Sequence, residues 1–517
     1  MISLSNSRQL TVNFIAQVVA FLVNLAIGFL VTPYIVSKLG VDSYGFVGLA
    51  NDFVGYAQII TVALNSMATR FITVKLYENK IDDANKLFNS ILFTNIIMST
   101  FLFIIGTFII IFMDKIITVP SGIISDVRIL WLMIFTSFIM TTIMSVFSAA
   151  TFIKNKLYLA SINQIFAQIA RVVVLFGALY FFKPSVWYIG ISTLVYSLIT
   201  IIYNFKFTKE LLTEITISIK YFDIKCLFEV ISSGIWNTIT KISGLLSNGL
   251  DLLITNKFIN ASFMGIVAMS KSIPSIIITL FGMLATIFAP QLVINYARKE
   301  YEEMKNSLIF SIKLLGIFSP IPLVILFCYG IDFYTLWAPS QNALLLQNLT
   351  LLSCMAMTLS LPLEPLWNIF STTNKVKQSS IFLIICSFIT IIIVFIGLNF
   401  ANTVDMKLYI IVGVSAAMAL FKSGLFLPLY GAKLLNIKLT TFYPVLIKNL
   451  IAIVLGIIFT TVMKTYIASN TWLMLFVSAM LCAIIVFIID IFTVLDKNDR
   501  GKVANSLKKK FVNKFCR

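Results

Sequence analysis

Long apolar stretches, separated by short clusters of charge, run the length of the chain. The first predicts a helix over 11–36 whose polar residues, Asn13, Gln17 and Asn24, are spaced by 4 and 7 and so share one face. A short link over 37–43 and a second apolar helix over 44–68 follow. Segments long enough to cross a bilayer, about 20 apolar residues each, number fourteen. They fall at roughly 11–36, 44–68, 87–113, 129–152, 160–182, 185–205, 229–255, 262–290, 307–330, 343–369, 379–400, 407–429, 444–463 and 471–494. The first is too long for a signal-peptide core and has no small-residue cleavage site, so it is expected to be retained.

The pattern repeats. Sliding the chain by 224 places Asn13 on Asn237, Gln17 on Lys241, Asn24 on Asn248 and Ile27 on Asp251. Sliding it by 220 places Tyr44-Gly45 on Met264-Gly265 and Asn51 on Lys271, and Ile81-Asp82-Asp83 on Tyr301-Glu302-Glu303. A slide of 219 places Asn155-Lys156 on Asn374-Lys375. Matches in one order at nearly the same offset predict two homologous halves of six spans. An even number of spans starts both on the same side, so the repeat is parallel, about an axis along the membrane normal.

The expected fold is therefore all-α and polytopic, with about 14 transmembrane helices. An N-terminal six-helix lobe occupies 1–205 and a cytoplasmic linker 206–228. A second six-helix lobe occupies 229–441, two further helices 442–495, and a basic cytoplasmic tail 496–517.

Composition agrees. The chain is 59% hydrophobic and 12% charged, half the charge of an average soluble domain. The net charge of +18 is a topology signal rather than a nucleic-acid one. Most Lys and Arg, including Arg70, Lys75, Lys80, Lys86, Lys206, Lys209, Lys220 and Lys225, fall in segments that are cytoplasmic if both termini are. The tail triplet Lys508-Lys509-Lys510 is expected near anionic headgroups. Trp131, Trp187, Trp337 and Trp472 fall near outer helix ends and are expected to form an interfacial belt. Histidine is absent and the six cysteines are scattered. Histidine metal sites, histidine-based catalysis and histidine proton relays are thereby excluded.

Charges inside the spans carry the candidate chemistry. Lys448 and Asp490 lie near helix ends and are expected to reach the membrane surface. Arg171, Lys241, Lys271, Lys313 and Lys422 lie deeper, with only Asp52, Asp251 and Glu364 to offset them. Facing lipid, each cation would cost about 2.5–3.5 kcal/mol or more. A wet, net positive cavity is therefore expected, lined also by Asn13, Gln17, Asn24, Asn51, Gln58, Gln168, Asn237 and Asn248. Gln164 and Asn65 lie on the same polar faces. Such a lining suits an anionic, sugar-bearing cargo. A pyrophosphate would sit between Arg171 on one side and Lys241 or Lys271 on the other, approached past Lys313 and Lys422. Prolines concentrate in the second half (Pro274, Pro320, Pro322, Pro362 and Pro365), where broken helices are expected.

The layout, with Tyr34-Ile35-Val36-Ser37-Lys38-Leu39-Gly40 and Tyr44-Gly45 in the first hairpin, resembles the bacterial polysaccharide flippases. These are the O-antigen and capsule repeat-unit transporters of the multidrug/oligosaccharidyl-lipid/polysaccharide exporter superfamily. The resemblance implies a non-enzymatic carrier in the bacterial plasma membrane. It would move undecaprenyl-pyrophosphate-linked oligosaccharide outward by alternating access, alongside a polysaccharide polymerase and chain-length machinery. No cofactor or metal is expected. Coupling to H+ or Na+, where it exists, would fall to Asp52, Asp251 or Glu364. The competing readings are a peptidoglycan-precursor flippase, a drug/cation antiporter, and a polyprenyl-dependent glycosyl-transfer enzyme. The last would need a longer outer loop than any here.

Overall fold

The computed structural model describes residues 6–286, 288, 292, 295–296, 300–373, 375–467, 470–495 and 500. The basic tail (Arg500 apart), Asn374 and the last turn of the eighth expected span lie outside the described residues. So does the side chain of Asn248. The described residues are overwhelmingly helical, with no strand among them. Twelve helices are long and apolar enough to cross a membrane, and a thirteenth span forms if the bent pair Ala343–Met355 and Met357–Phe370 counts as one. This is a polytopic, all-α membrane protein.

In chain order the main helices are α1 (Asn6–Leu39), α2 (Val41–Tyr77), α3 (Ile81–Ile111), α4 (Ile124–Ile143), α5 (Leu157–Phe181) and α6 (Trp187–Leu211). Then come α7 (Ile224–Gly244), a π-helical turn Leu245–Gly249, α8 (Asp251–Phe258) and α9 (Ala261–Thr286). After these run α10 (Tyr301–Phe318), α11 (Pro320–Trp337), α12 (Ala343–Met355) and α13 (Met357–Leu363). The last are α14 (Val376–Phe400), α15 (Val404–Phe421), α16 (Leu427–Leu434), α17 (Tyr443–Lys464) and α18 (Trp472–Val494).

Several expectations change. The link expected over 37–43 shrinks to Gly40, whose φ of 83° turns the chain from α1 straight into α2. That backbone conformation is open to glycine at no steric cost. The seventh span, expected as one apolar helix over 229–255, is instead two helices joined by the π-turn. Neither helix is among those long and apolar enough to cross a membrane. Two of the four belt tryptophans are internal: Trp131 and Trp337 are buried, and the Trp131 indole donates to the Phe46 carbonyl at 3.3 Å. The prolines differ among themselves. Pro274 sits inside an unbroken α9, whereas Pro362 lies in α13 and Pro365 within the 3-10 turn Glu364–Leu366 that follows it, in a stretch bent by 44°.

Backbone contacts divide the chain into two compact units. The first comprises Met1–Ala268 and Ser380–Ile391, the second Met269–Ser379 and Ile392–Arg517.

In the first unit, α2 packs along α7 so closely that a Cβ on Gly234 would lie 1.9 Å from the Ala63 carbonyl oxygen. At the other end of α2, a Cβ on Gly45 would fall 2.9 Å from the Gly265 nitrogen, and one on Gly265 would fall 2.3 Å from the Val41 oxygen. Gly45 and Gly265 are the pair that the expected repeat superposes, and here Gly45 lies directly against Gly265. Hydroxyls hold α7 on another side. Ser380 and Ser387 of α14 reach Thr240 (2.8 Å) and Ser247 (2.7 Å), and Ser387 donates to the Ser243 carbonyl (2.8 Å). The seven-residue spacing on both partners keeps these hydroxyls on facing stripes.

The linker after α6 is zipped onto the start of α3. Asn85 donates to the Glu214 carbonyl (3.1 Å) and accepts from the Thr216 N–H (2.7 Å). Asn89 donates to the Thr216 carbonyl (2.8 Å) and accepts from the Ser218 N–H (2.8 Å), and Ser90 accepts from the Asp223 N–H (2.7 Å). Each amide thus satisfies one donor and one acceptor of an extended backbone, as a neighbouring strand would.

In the second unit, α10, α11, α17 and α18 share a buried core. A Cβ on Gly456 of α17 would lie 3.1 Å from Val324 and 3.2 Å from Val486. Asn449 donates to the Ser319 hydroxyl and the Thr358 carbonyl, both at 3.2 Å. Asp490, expected at the membrane surface, is instead fully buried, because it faces inward between Val486 and Val494 on α18.

Candidate functional site

Within the first unit an open cleft of about 550 Å³ lies between α2 and the α7–π-turn segment. Its walls are Asp52 and Val62 from α2, Asn237, Thr240, Lys241 and Gly244 from α7, and Leu245 and Gly249 from the π-turn. The sequence explains this local build. Asn237, Thr240, Lys241 and Gly244 follow the i, i+3, i+4, i+7 rule and form one helical stripe. The π-turn then adds a residue to the helical ladder, a feature that recurs at functional sites.

Lys241 is half-buried and, among the described residues, has neither an ion pair nor a hydrogen bond. Its ammonium therefore has three donors available to a ligand in the cleft. Asn237 donates to Ser66 at 3.2 Å, which fixes its amide on the cleft wall. Asp52 supplies an acid on the facing helix. Lys241, Asn237 and Asp52 are the members of the expected set that the cleft brings together.

The others lie elsewhere. Asn13 is buried and caps the start of α5, donating to the Asn155 carbonyl (2.9 Å) and side-chain oxygen (3.0 Å) and accepting from the Tyr158 N–H (3.0 Å). Gln17 and Asn24 are half-buried on α1, and Asn51 and Gln58 are exposed on α2. Asn65 is engaged with Asn95 and Ser145 in a three-residue knot. Gln168 is buried on α5. Arg171, one turn on, is half-buried, close enough to the Tyr196 phenol of α6 to interact electrostatically, and without an ion pair among the described residues.

Asp251 is buried at the start of α8. In the second unit Lys271, Lys313 and Lys422 are half-buried on α9, on α10 and at the start of a second π-turn, Lys422–Phe426, and each interacts with neighbouring groups. Glu364 is half-buried in the 3-10 turn between its two prolines.

Sequence reasoning missed Thr240, Gly244 and Gly249 as cleft residues. The signal for the first two was present, since they continue the Asn237–Lys241 stripe, but they carry no charge to draw notice. Among the described residues no group of three or more acidic, Cys or His side chains could hold a metal ion. What the cleft presents is the Lys241 ammonium beside the Asn237 amide, with the Thr240 hydroxyl on the same wall bonded to Ser380 and the Trp236 carbonyl.

Comparison with known proteins gives this architecture a setting. The sequence model of a family described as "Polysaccharide biosynthesis protein" matches residues 10–294. The chain is 26% identical over 500 residues to the uncharacterized membrane protein EpsK of Bacillus subtilis (strain 168), covering 96% of this chain and 98% of EpsK. Among solved structures, the lipid II flippase MurJ in an inward closed conformation superposes with a TM-score of 0.65 at 14% identity, over 92% of this chain and 97% of MurJ. An inward-facing multidrug resistance MATE family transporter of the MOP superfamily superposes with a TM-score of 0.61 at 13% identity, over 80% of this chain and 95% of that transporter. The chain shares their fold.

Proposed function

The chain belongs to the polysaccharide biosynthesis protein family, and we propose that within it the protein is a flippase for polyprenyl-pyrophosphate-linked oligosaccharide. The cargo is the undecaprenyl-linked repeat unit of an O-antigen or capsule. The protein carries it from the inner to the outer leaflet of a bacterial plasma membrane, with both termini and the 206–228 linker on the cytoplasmic side, and delivers it to a polymerase. It is a carrier, not a catalyst.

The observation that supports this reading is the cleft, where Lys241 has no ion pair among the described residues and stands beside Asn237 and Thr240. The lysine takes a phosphate oxygen and the neutral polar groups take sugar hydroxyls. Arg171 supplies a further cation in the same unit. Asp52 in the cleft, with Asp251 and Glu364, is the carboxylate set through which an H+ or Na+ gradient would act.

The test is reconstitution. Purified protein in liposomes should move an undecaprenyl-pyrophosphate-linked oligosaccharide to the opposite leaflet, read by accessibility to an external lectin or glycosidase. Movement of a lipid-linked peptidoglycan precursor alone would favour the runner-up reading. Movement of neither would overturn the proposal.

A further inference from the structure

The polar stripe of α7 and the residue that should continue it part company at the π-turn. In an unbroken helix, Asp251 would lie about 30° from the centre of the stripe formed by Asn237, Thr240, Lys241 and Gly244, and Gly249 about 130° from it. The observed placement is the reverse. Asp251 is buried and takes no part in the cleft lining, whereas Gly249 lines it. The π-turn Leu245–Gly249 explains both positions. One extra residue in the ladder rotates everything after it by about 100°. That rotation carries Asp251 off the cleft wall and Gly249 onto it.

Two latches hold this register, one at each end of α8. Gly249 is the last residue of the π-turn, where terminal carbonyls lack a helical partner, and its carbonyl accepts from the Tyr56 hydroxyl of α2. Toward the other end of α8, the Asn256 amide donates to the Thr118 carbonyl (3.1 Å) and accepts from the Thr118 N–H (2.8 Å). Between the latches α8 is only eight residues long, short enough to turn as one piece. Asp52 and Asp251 are both close enough to Tyr56 to act on it electrostatically, so Asp251 waits beside the cleft wall rather than far from it.

We propose that the π-turn is a register switch for the cleft: with the turn in place the wall shows the Gly249 backbone, and when the ladder reverts to α-helix, α8 rotates and shows the Asp251 carboxylate instead. Its purpose rests on the flippase reading, since it supplies the step by which an anionic headgroup held at Lys241 is released. In the observed register the described lining carries one cation, Lys241, and one acid, Asp52. Adding Asp251 makes that lining net negative, and like charges repel more strongly in a cleft than in bulk water. The exchange breaks the Tyr56 and Asn256 bonds, so removing either one favours it.

Thiol reactivity reads the register. In purified Asp251→Cys protein the new thiol should react slowly with a water-soluble maleimide. Adding Tyr56→Phe, which removes the latch and keeps the ring, should speed that reaction about fivefold, the factor for one net hydrogen bond. Adding Asn256→Ala instead should act in the same direction. A control thiol from Ser243→Cys, buried on α7 before the turn, should stay unreactive, with site-resolved mass spectrometry separating both from the native cysteines. Unchanged reactivity at position 251 with both latches removed would overturn the switch. So would an equal rise at position 243, the mark of local unfolding. Deleting Leu246 removes the extra residue and leaves α8 facing as it does now on a regular helix. That variant should bind undecaprenyl-pyrophosphate-linked oligosaccharide as wild type does and fail to move it in liposomes; if it does not fold, the labelling still decides. Wild-type transport by the deletion variant would overturn the switch and leave the flippase reading standing. No transport by wild type would overturn that reading instead.

Discussion

Lys241 and Lys464 both lie on membrane helices, one in each unit, and their surroundings differ completely. Lys464, at the end of α17, has every demand met. It pairs with Asp332 at 2.7 Å, donates to the Cys328 carbonyl at 2.7 Å, and lies 5.3 Å from the centre of the Tyr329 ring. Lys241 lines an open cleft and, among the described residues, pairs with nothing. A cation inside a membrane protein must be compensated by something. For Lys464 the compensation is the protein, which makes it a clamp between α17 and α11. For Lys241 we propose that it is whatever enters the cleft, which would make it a binding group.

The largest expected effect breaks the cleft rather than the charge. Gly234→Leu forces a side chain against the Ala63 carbonyl, and only separation of α2 from α7 relieves it. A loss of about 3 kcal/mol is expected, seen as a lower thermal midpoint in detergent together with lost transport. A wild-type midpoint would mean that the close α2–α7 contact is not needed.

Next is the clamp. Lys464→Ala should cost about 1.5–3 kcal/mol, toward the lower end because both partners are partly exposed. Transport per folded molecule should be unchanged. If transport falls while stability holds, Lys464 is not structural and the contrast with Lys241 fails.

The linker clasp sharpens the same distinction between satisfied and open polar groups. Asn89→Ala leaves the Thr216 carbonyl and the Ser218 N–H without their partner. It should cost about 1 kcal/mol, with faster proteolysis within the linker as the readout; an unchanged cleavage rate would show the clasp to be unimportant.

The smallest effect is at an exposed pair. Asp114 bonds to Arg128 at 2.8 Å, and that contact holds its carboxyl below the usual range. A carboxylate with a depressed folded pKa stabilises above its unfolded pKa and loses that contribution only as pH falls through the folded value. Arg128→Ala should therefore leave the pH dependence of stability between 5 and 8 unchanged. A slope appearing there would mean the pair governs more than itself.

Much of the fold was legible because bilayer thickness and apolar run length fix a span almost by themselves. The Gly45–Gly265 match was legible for a related reason: both positions are kept small by close backbone contact, Gly45 against Gly265 and Gly265 against Val41. The Asn237–Lys241 stripe was visible as polarity where lipid would not allow it. Other features were hidden by the ambiguity of single residues. Asn85 and Asn89 read as the polar start of a helix, and nothing local says that their amides bind a linker more than 120 residues away. Asp490 sits close to a helix end, so periodicity could not distinguish a surface carboxylate from one turned into the core. The hydroxyls of Ser380 and Ser387 are unremarkable until α7 is seen opposite them.

The central claim is that Lys241 holds the cargo's phosphate. The most direct measurement is the affinity of purified Lys241→Ala for an undecaprenyl-pyrophosphate-linked oligosaccharide, compared with the same sugar on an uncharged lipid and with wild type. A charge-assisted contact of about 1.5–3 kcal/mol predicts a roughly ten- to hundredfold loss for the pyrophosphate ligand. No change is predicted for the uncharged one, and Lys241→Arg should recover most of the loss. Equal affinity of Lys241→Ala and wild type for the pyrophosphate ligand would contradict the account.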